Sequence, residues 1–471
     1  MPNGTQGVRK GNGTKAIGLR RVLGFKELFF ASLGGQSPFL SILTYGTATI
    51  IYAQLLAPIA ALVGTLMVLI NGLVVYQLSR RITRVGGYYT YAQYFISHRV
   101  GIETGLIYLF YSILYGSAYA IGAAGLAWYF FRVNFHIMLA AILVIMFVLA
   151  VLGIKPSARY AVFAGSLEIA VLIAIGLALL YLSGLRLNLG FSTSGISPTA
   201  FGYAVLLAAA IPTGYGTITP LSGEAKGARR VVPKAIVSVI LAGGLLAAFD
   251  IFAFEAAGVR LMGGVNGLLK FLGSYLQNSE ALTSPMLYIL HKYFGILVDI
   301  PILIALINDG VLGVLAYSLA SSRVIYAMAL DGYAPRIFSR INVNTNNPTM
   351  AALASSIGII IVSIIAVTLT KSPFMAFIVL GSLSTMAGLI VHLVSNVSLM
   401  RMAVMRRYVR RMKLGLISLA SAATLMVVYS VASTVVSLNP VYVEIFLAWI
   451  ILSFIYVEAL SIAMEEAEEG E

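Results

Sequence analysis

The chain has 471 residues, 60% of them hydrophobic and only 10% charged. Soluble domains carry about 25% charged residues, so this chain cannot cover a water-facing surface, whereas lipid demands no such cover. Cysteine is absent, which excludes a disulfide framework, a thiolate metal site and a cysteine nucleophile.

The first 26 residues are polar, glycine-rich and basic, with Arg9, Lys10, Lys15, Arg20, Arg21 and Lys26. They contain no short apolar region with a cleavage site and read as a flexible cytoplasmic tail. On that side the Asn-Gly-Thr sequons at Asn3 and Asn12 are chance.

A membrane span needs about 20 mostly apolar residues. Twelve stretches qualify: 27–53, 55–79, 101–131, 136–153, 159–183, 200–221, 234–257, 297–329, 349–370, 373–400, 414–437 and 441–463. The expected class is an all-α membrane protein. Its parts are a basic tail (1–26), a ten-span core (27–400), two accessory spans (401–463) and an acidic tail (464–471). The long outer loop, 258–296, predicts a short helix after Pro285.

Lys and Arg set the orientation. With the amino terminus inside, about 25 of the 31 basic residues fall on the cytoplasmic side and about 6 outside. The inner clusters include Arg80/Arg81/Arg84/Arg99, Lys226/Arg229/Arg230/Lys234 and Arg401/Arg406/Arg407/Arg410/Arg411/Lys413. An even span count returns the acidic end, Glu465 to Glu471, to the same side. The net charge of +14 is therefore topology, not a nucleic-acid footprint.

Two spans are broken by their own residues. The first reads Ser32-Leu33-Gly34-Gly35-Gln36-Ser37-Pro38-Phe39, and the sixth Ile211-Pro212-Thr213-Gly214-Tyr215-Gly216-Thr217 with Pro220 beyond. Proline removes a helix hydrogen bond and paired glycines weaken helical geometry. In lipid the freed groups must be met by protein, water or ligand, and two such breaks in corresponding halves point to a midplane site. Free N–H groups attract a carboxylate and free carbonyls an ammonium; an α-amino acid carries both.

Other polar residues lie within the spans. Glu168 is a lone carboxyl in an apolar stretch, and Asp309 shares a helical face with Gly313 and Tyr317. Asp250 and Glu255, late in the seventh span, read as solvated acids of an outer vestibule. Glu458 reads as peripheral. His98, His136, His291 and His392 show no metal-ligand spacing, and His392 in the tenth span reads as a packed residue. Tyr108, Tyr111, Tyr115 and Tyr119 form a stripe on the third span, suited either to lining a path or to packing. There is no G-x-x-x-x-G-K-[ST] run, no filter-like repeat of a channel and no convincing catalytic set. The chain is not expected to be an enzyme or to hold a cofactor.

The order of motifs resembles an amino acid–polyamine–organocation (APC) superfamily permease, with a LeuT-like five-plus-five inverted repeat. Gly86-Gly87-Tyr88-Tyr89-Thr90-Tyr91 is similar to the family's GGxYxY signature. The run from Gly223-Glu224-Ala225-Lys226 to Pro233-Lys234-Ala235-Ile236 is similar to E-x-K-N-P-x-R-x-x-P-x-A-I. Ser322-Arg323 through Asp331-Gly332-Tyr333-Ala334-Pro335 is similar to S-R…D-G-x-x-P. The sixth-span break departs from the family's F-x-G-F-E, lacking its first aromatic and its acid. Where proton-coupled relatives place a lysine, fifteen residues after a G-x-K turn (here Gly153-Ile154-Lys155), this chain has Glu168.

The resemblance implies a secondary transporter of amino acids in the cell membrane, working by alternating access. It would be proton-coupled or an exchanger, with proton or sodium as the ion. An amine or polyamine permease, and a non-transporting sensor of the same fold, are the alternatives. The solute's carboxylate would meet N–H groups around Gly34, Gly35, Gln36 and Ser37. Its ammonium would meet carbonyls from Ile211 through Thr213 to Gly214, with Tyr215 and Tyr115 beside it. Glu168 and Asp309 would couple the ion.

Overall fold

The computed structural model describes residues 18–185, 196–276, 284–406, 408–437 and 440–469. Asn3, Arg9, Lys10, Asn12, Lys15, Arg407 and Glu471 lie outside the described residues. The helices are α1 (Phe25–Gln36), α2 (Pro38–Ser41), α3 (Thr47–Ala53), α4 (Ala57–Ser79), α5 (Tyr88–Phe95), α6 (His98–Phe131), α7 (Phe135–Leu152), α8 (Ile154–Leu182) and α9 (Pro198–Ala210). They continue as α10 (Ala228–Leu261), α11 (Val265–Leu276), α12 (Pro285–Phe294), α13 (Ile296–Leu330), α14 (Thr349–Thr370), α15 (Pro373–Met405), α16 (Arg410–Ser437) and α17 (Pro440–Glu469).

Eleven helical stretches among the described residues are long and apolar enough to cross a membrane. The first of them, Phe25–Ser79, has 55 residues. Straight, it would extend about 80 Å, far beyond an apolar bilayer core of about 30 Å. It doubles back instead at Gln54, whose φ is +48°. Contacts with α10 show the reversal. Gln36 meets α10 at Gly243 and Gly46 meets it at Ile251, so α1 to α3 run parallel to it. Thr65 meets Gly244 and Gly72 meets Ile240, so α4 runs antiparallel. One stretch thus makes two passes, and the described residues make twelve.

Four pairs of spans five apart lie against each other. α1 meets the 3-10 turn Tyr215–Ile218, α4 meets α10, α6 meets α13 and α7 meets α14. With α4 and α10 antiparallel, this is the arrangement of an inverted repeat. α16 packs on α15 and α4, while α17 packs on α6 and α15. Large apolar side chains cover the outer faces: Leu297 is 81% exposed, Leu369 76% and Leu425 72%. Water penalises that surface and lipid does not. The helix after Pro285 is present as α12. It is preceded by α11, whose apolar residues recur at helical spacing but fall short of a span.

The three motifs converge at one end of the bundle. Glu224 and Arg323, both fully buried, pair through Nε–Oε2 at 3.0 Å and Nη2–Oε1 at 3.1 Å. Asp331 pairs with Arg84 and accepts the Tyr89 hydroxyl at 2.6 Å. Burial, with Asp331 beside it, raises the Tyr89 phenol above the ordinary tyrosine range, so it remains a donor. Gly86 N–H donates to the Pro220 carbonyl, and a Cβ on Gly87 would lie 2.4 Å from Thr219 Oγ1. The chain before α1 joins the cluster, with Val22 and Leu23 N–H groups donating to the Glu224 carbonyl at 2.7 and 3.0 Å.

Removing one partner of a buried pair strands the other charge, at a cost of about 3–5 kcal/mol. Glu224→Ala and Arg323→Ala should each lower the melting temperature of detergent-purified protein sharply. The double replacement Glu224→Gln/Arg323→Met should melt above either. A melting curve for Arg323→Ala that overlays the parent would show that the pair does not hold this end together.

Candidate functional site

The first break falls at Ser37, whose φ is +44°. A residue before proline is disfavoured in the right-handed helical region, and Pro38 has no N–H to give back. Gly34 and Gly35 remain helical within α1, contrary to the expectation that the glycines themselves break it. They serve close approach. A Cβ on Gly34 would lie 2.8 Å from the Leu312 carbonyl oxygen, and one on Gly35 would lie 2.6 Å from that of Gly214.

The sixth-span break centres on Gly214, φ +102°, where α9 gives way to the turn Tyr215–Ile218. A Cβ on Gly214 would sit 1.9 Å from the Gly35 oxygen. The two breaks therefore touch, backbone to backbone, at Gly35 and Gly214. Gln36 ties them further. Its side-chain amide donates to the Pro212 carbonyl at 2.9 Å and to that of Val239 at 3.1 Å. Ser32 Oγ donates to the Tyr215 carbonyl at 3.0 Å. Thr213 turns its hydroxyl back onto the Ala209 carbonyl, and Ile211, fully buried, closes the end of α9.

Tyrosines fill the space beside this contact. The Tyr317 hydroxyl donates to the Gly35 carbonyl at 3.0 Å and lies 3.2 Å from that of Tyr111. Tyr119 donates to the Gln36 carbonyl at 3.4 Å. Tyr115 stacks on Tyr317 with centroids 5.5 Å apart and pairs with Thr385 at 3.1 Å. The stripe on α6 thus packs and also approaches the first break. His392 is stacked against Tyr215 at 5.7 Å, and its Nδ1 lies 3.5 Å from the Tyr215 hydroxyl.

N–H groups of the first break are distributed unevenly. That of Ser37 turns back to the Leu33 and Gly34 carbonyls. The free start of the resumed helix follows directly, from Pro38, and two acids hold it. Phe39 N–H donates to Glu168 Oε1 at 3.0 Å, and Leu40 N–H to Asp309 Oδ2 at 3.1 Å. Ser37 Oγ donates to the same Asp309 oxygen at 2.5 Å. Glu168 comes from α8 and Asp309 from α13; both are fully buried, and they accept from successive N–H groups of the same helix start. Glu168 Oε2 and Asp309 Oδ1 have no N–H or O–H donor among the described residues. Behind them, Asn308 accepts from Tyr160 at 3.0 Å and donates to the Ala164 carbonyl at 3.0 Å.

Asp250 and Glu255 are not vestibule acids. Both are fully buried, because α10 is covered here on several faces. A Cβ on Gly176 of α8 would lie 2.7 Å from Asp250 Oδ1. Glu458 is peripheral as expected, 3.3 Å from Arg99 on a half-exposed surface. Among the described residues no three His, Asp or Glu side chains cluster at metal-binding spacing.

A cavity of about 140 Å3 opens beside the sixth-span break, toward α4 and α16. Tyr115, Thr213, Tyr215 and His392 line it, together with Asn71, Met426 and Ser430. Sequence reading missed the last three. Asn71, a lone amide within the apolar run of α4, was the available signal.

No curated protein sequence matches the chain. Solved structures of similar fold include those of the manganese transporter of Eremococcus coleocola. A variant of it matches with a TM-score of 0.56 at 16% identity, over 92% of this chain and 95% of that one. Its complex with an aromatic bis-isothiourea substituted compound matches with a TM-score of 0.52 at 17% identity, over the same shares. At this identity the likeness establishes the fold. The amino acid permease family matches residues 27–464, nearly the whole chain. With twelve passes, an inverted repeat and two touching breaks, the chain belongs to the amino acid permease family and is a multi-pass membrane transporter of the APC superfamily with a LeuT-like fold.

Proposed function

We propose that this transporter carries amino acids across the cell membrane by alternating access, coupled to a proton or small cation at Glu168 and Asp309. Membership of the amino acid permease family supports the solute class. The observation that carries the coupling is the acid pair on the resumed half of the first span. Two adjacent carboxylates repel strongly at low dielectric. A shared proton or a bound cation relieves that repulsion and keeps both acids on the helix start. Its departure leaves like charges together and favours releasing the half-helix from α8 or α13. That is a differential interaction between two states, the requirement for coupling.

On this reading the touching breaks are the closed arrangement. Solute entry separates Gly35 from Gly214, freeing backbone groups from Gly34 to Ser37 and from Ile211 to Gly214 for the solute's charged ends. Tyr115, Tyr215 and Thr213 line the cavity beside the sixth-span break. Both termini are cytoplasmic in this proposal, since the basic loops then lie inside.

Liposomes containing the purified chain should take up amino acids against a concentration gradient when a proton or sodium gradient is imposed. Amines in the same panel should be poor solutes. Failure to accumulate or exchange any amino acid would sink the transport proposal. Glu168→Gln keeps an acceptor for Phe39 N–H but loses the charge. It should abolish gradient-driven accumulation by at least tenfold while retaining solute exchange; unchanged accumulation would remove Glu168 from the coupling. Asp309→Asn should be more damaging to both, because Asp309 also receives Ser37.

Gly214→Ala should lose uptake while remaining folded, with a melting temperature below the parent's, because its Cβ has no room at the contact. Normal uptake by that variant would show that the breaks need not touch.

The absence of cysteine allows a direct topology test. In intact cells an impermeant thiol reagent should label Lys371→Cys and not Arg340→Cys, with the second labelled only after permeabilisation. The reverse pattern would invert the orientation.

A further inference from the structure

The cavity beside the sixth-span break has a composition of its own. Its volume, about 140 Å3, gives room on the order of ten water-sized groups. Its walls come from α4, α6, the end of α9, α15 and the accessory helix α16. Among the described residues, no Asp, Glu, Lys or Arg lines it. A charged group placed there would lose its hydration and gain no counter-ion. Met67, Leu206, Leu389 and Val427 contribute to the apolar wall.

Two hydroxyls and one amide oxygen on that wall share one character. Thr213 and Ser430 spend their hydroxyl protons on carbonyls of their own helices, at 2.8 and 2.9 Å. They meet the cavity as acceptors. Asn71 Oδ1 is buried and has no hydrogen-bond donor among the described residues, a costly state that a ligand's N–H or O–H would relieve. The break itself, at Ala210, Thr213 and Tyr215, forms one edge. A solute whose charged ends met the broken backbone would therefore project its side chain toward α16.

Resting on the amino acid reading above, we infer that this cavity receives the side chain of the transported amino acid, and that this side chain is uncharged, largely apolar and at least leucine-sized, with a place for one N–H or O–H donor. Aliphatic and aromatic side chains fit that description, and indole satisfies its donor. Val427 and Ser430 make α16 a selectivity element rather than a packing accessory.

The test uses the full chain in lipid nanodiscs for binding and in liposomes for uptake. Leucine, phenylalanine and tryptophan should raise the melting temperature, whereas lysine, glutamate and putrescine should not. Val427→Phe, which fills the cavity from α16, should cut the leucine-to-alanine uptake ratio at least tenfold. Val427→Ala enlarges the cavity and should shift uptake from leucine toward tryptophan; it decides the matter if the phenylalanine variant does not fold. Ser430→Ala should lower tryptophan uptake relative to phenylalanine. Charged solutes that stabilise the protein as well as neutral ones, or solute ratios indifferent to both Val427 variants, would overturn the assignment. If the parent protein transports nothing yet leucine shifts its melting and Val427→Phe abolishes that shift, the transport proposal fails and the cavity stands as the side-chain site of a bound amino acid.

Discussion

Every backbone group freed inside a bilayer must find a partner within the protein or its ligand. That constraint governs the centre of this transporter. Breaking the first span at Ser37 exposes the start of a new helix in the middle of the membrane, with its N–H groups unpaired by helix geometry. The chain satisfies them with carboxyls from two other spans. Phe39 receives Glu168 and Leu40 receives Asp309. The same break exposes carbonyls at Gly35 and Gln36, which receive Tyr317 and Tyr119. A defect in one helix thus recruits α6, α8 and α13 around it.

The acids make this arrangement conditional. Hydroxyl-to-carbonyl bonds are insensitive to ordinary changes of pH, whereas two buried carboxyls held at one helix start repel each other unless a proton or cation is present. On the proposed coupling, the site combines a side built on tyrosines and Gln36 with a side that depends on occupancy. The gap between Gly35 and Gly214 lies between them. Its closeness comes from the two missing Cβ atoms.

At the other end of the bundle, the three signature segments are tied by charge. Glu224 with Arg323, and Asp331 with Arg84, link the segments after the second, sixth and eighth spans. The first of these pairs is fully buried and bidentate, which gives geometric specificity as well as attraction. It anchors the chain before α1 through the Glu224 backbone.

Much of this was legible in the residue order. Apolar runs, basic loops and the Ser37-Pro38 and Pro212–Gly214 interruptions are local properties. Length, charge and proline chemistry act on a segment regardless of its neighbours, so the twelve passes and both breaks could be read directly. Glu168 and Asp309 were visible as isolated acids, but 141 positions separate them in the chain. Only the packing of α8 and α13 against one helix start decided that they meet. The same is true of the glycines at 34 and 35, whose role is contact rather than breakage. It is also true of Asp250 and Glu255, whose burial depends on how α10 is covered. The cavity has no sequence pattern, because its walls come from five separate helices and its character lies in the protons their hydroxyls have already spent. Sequence by itself determined where the helices run and where they fail; tertiary structure decided which groups fill the failures, because hydrogen-bond partners in lipid are chosen by proximity in space.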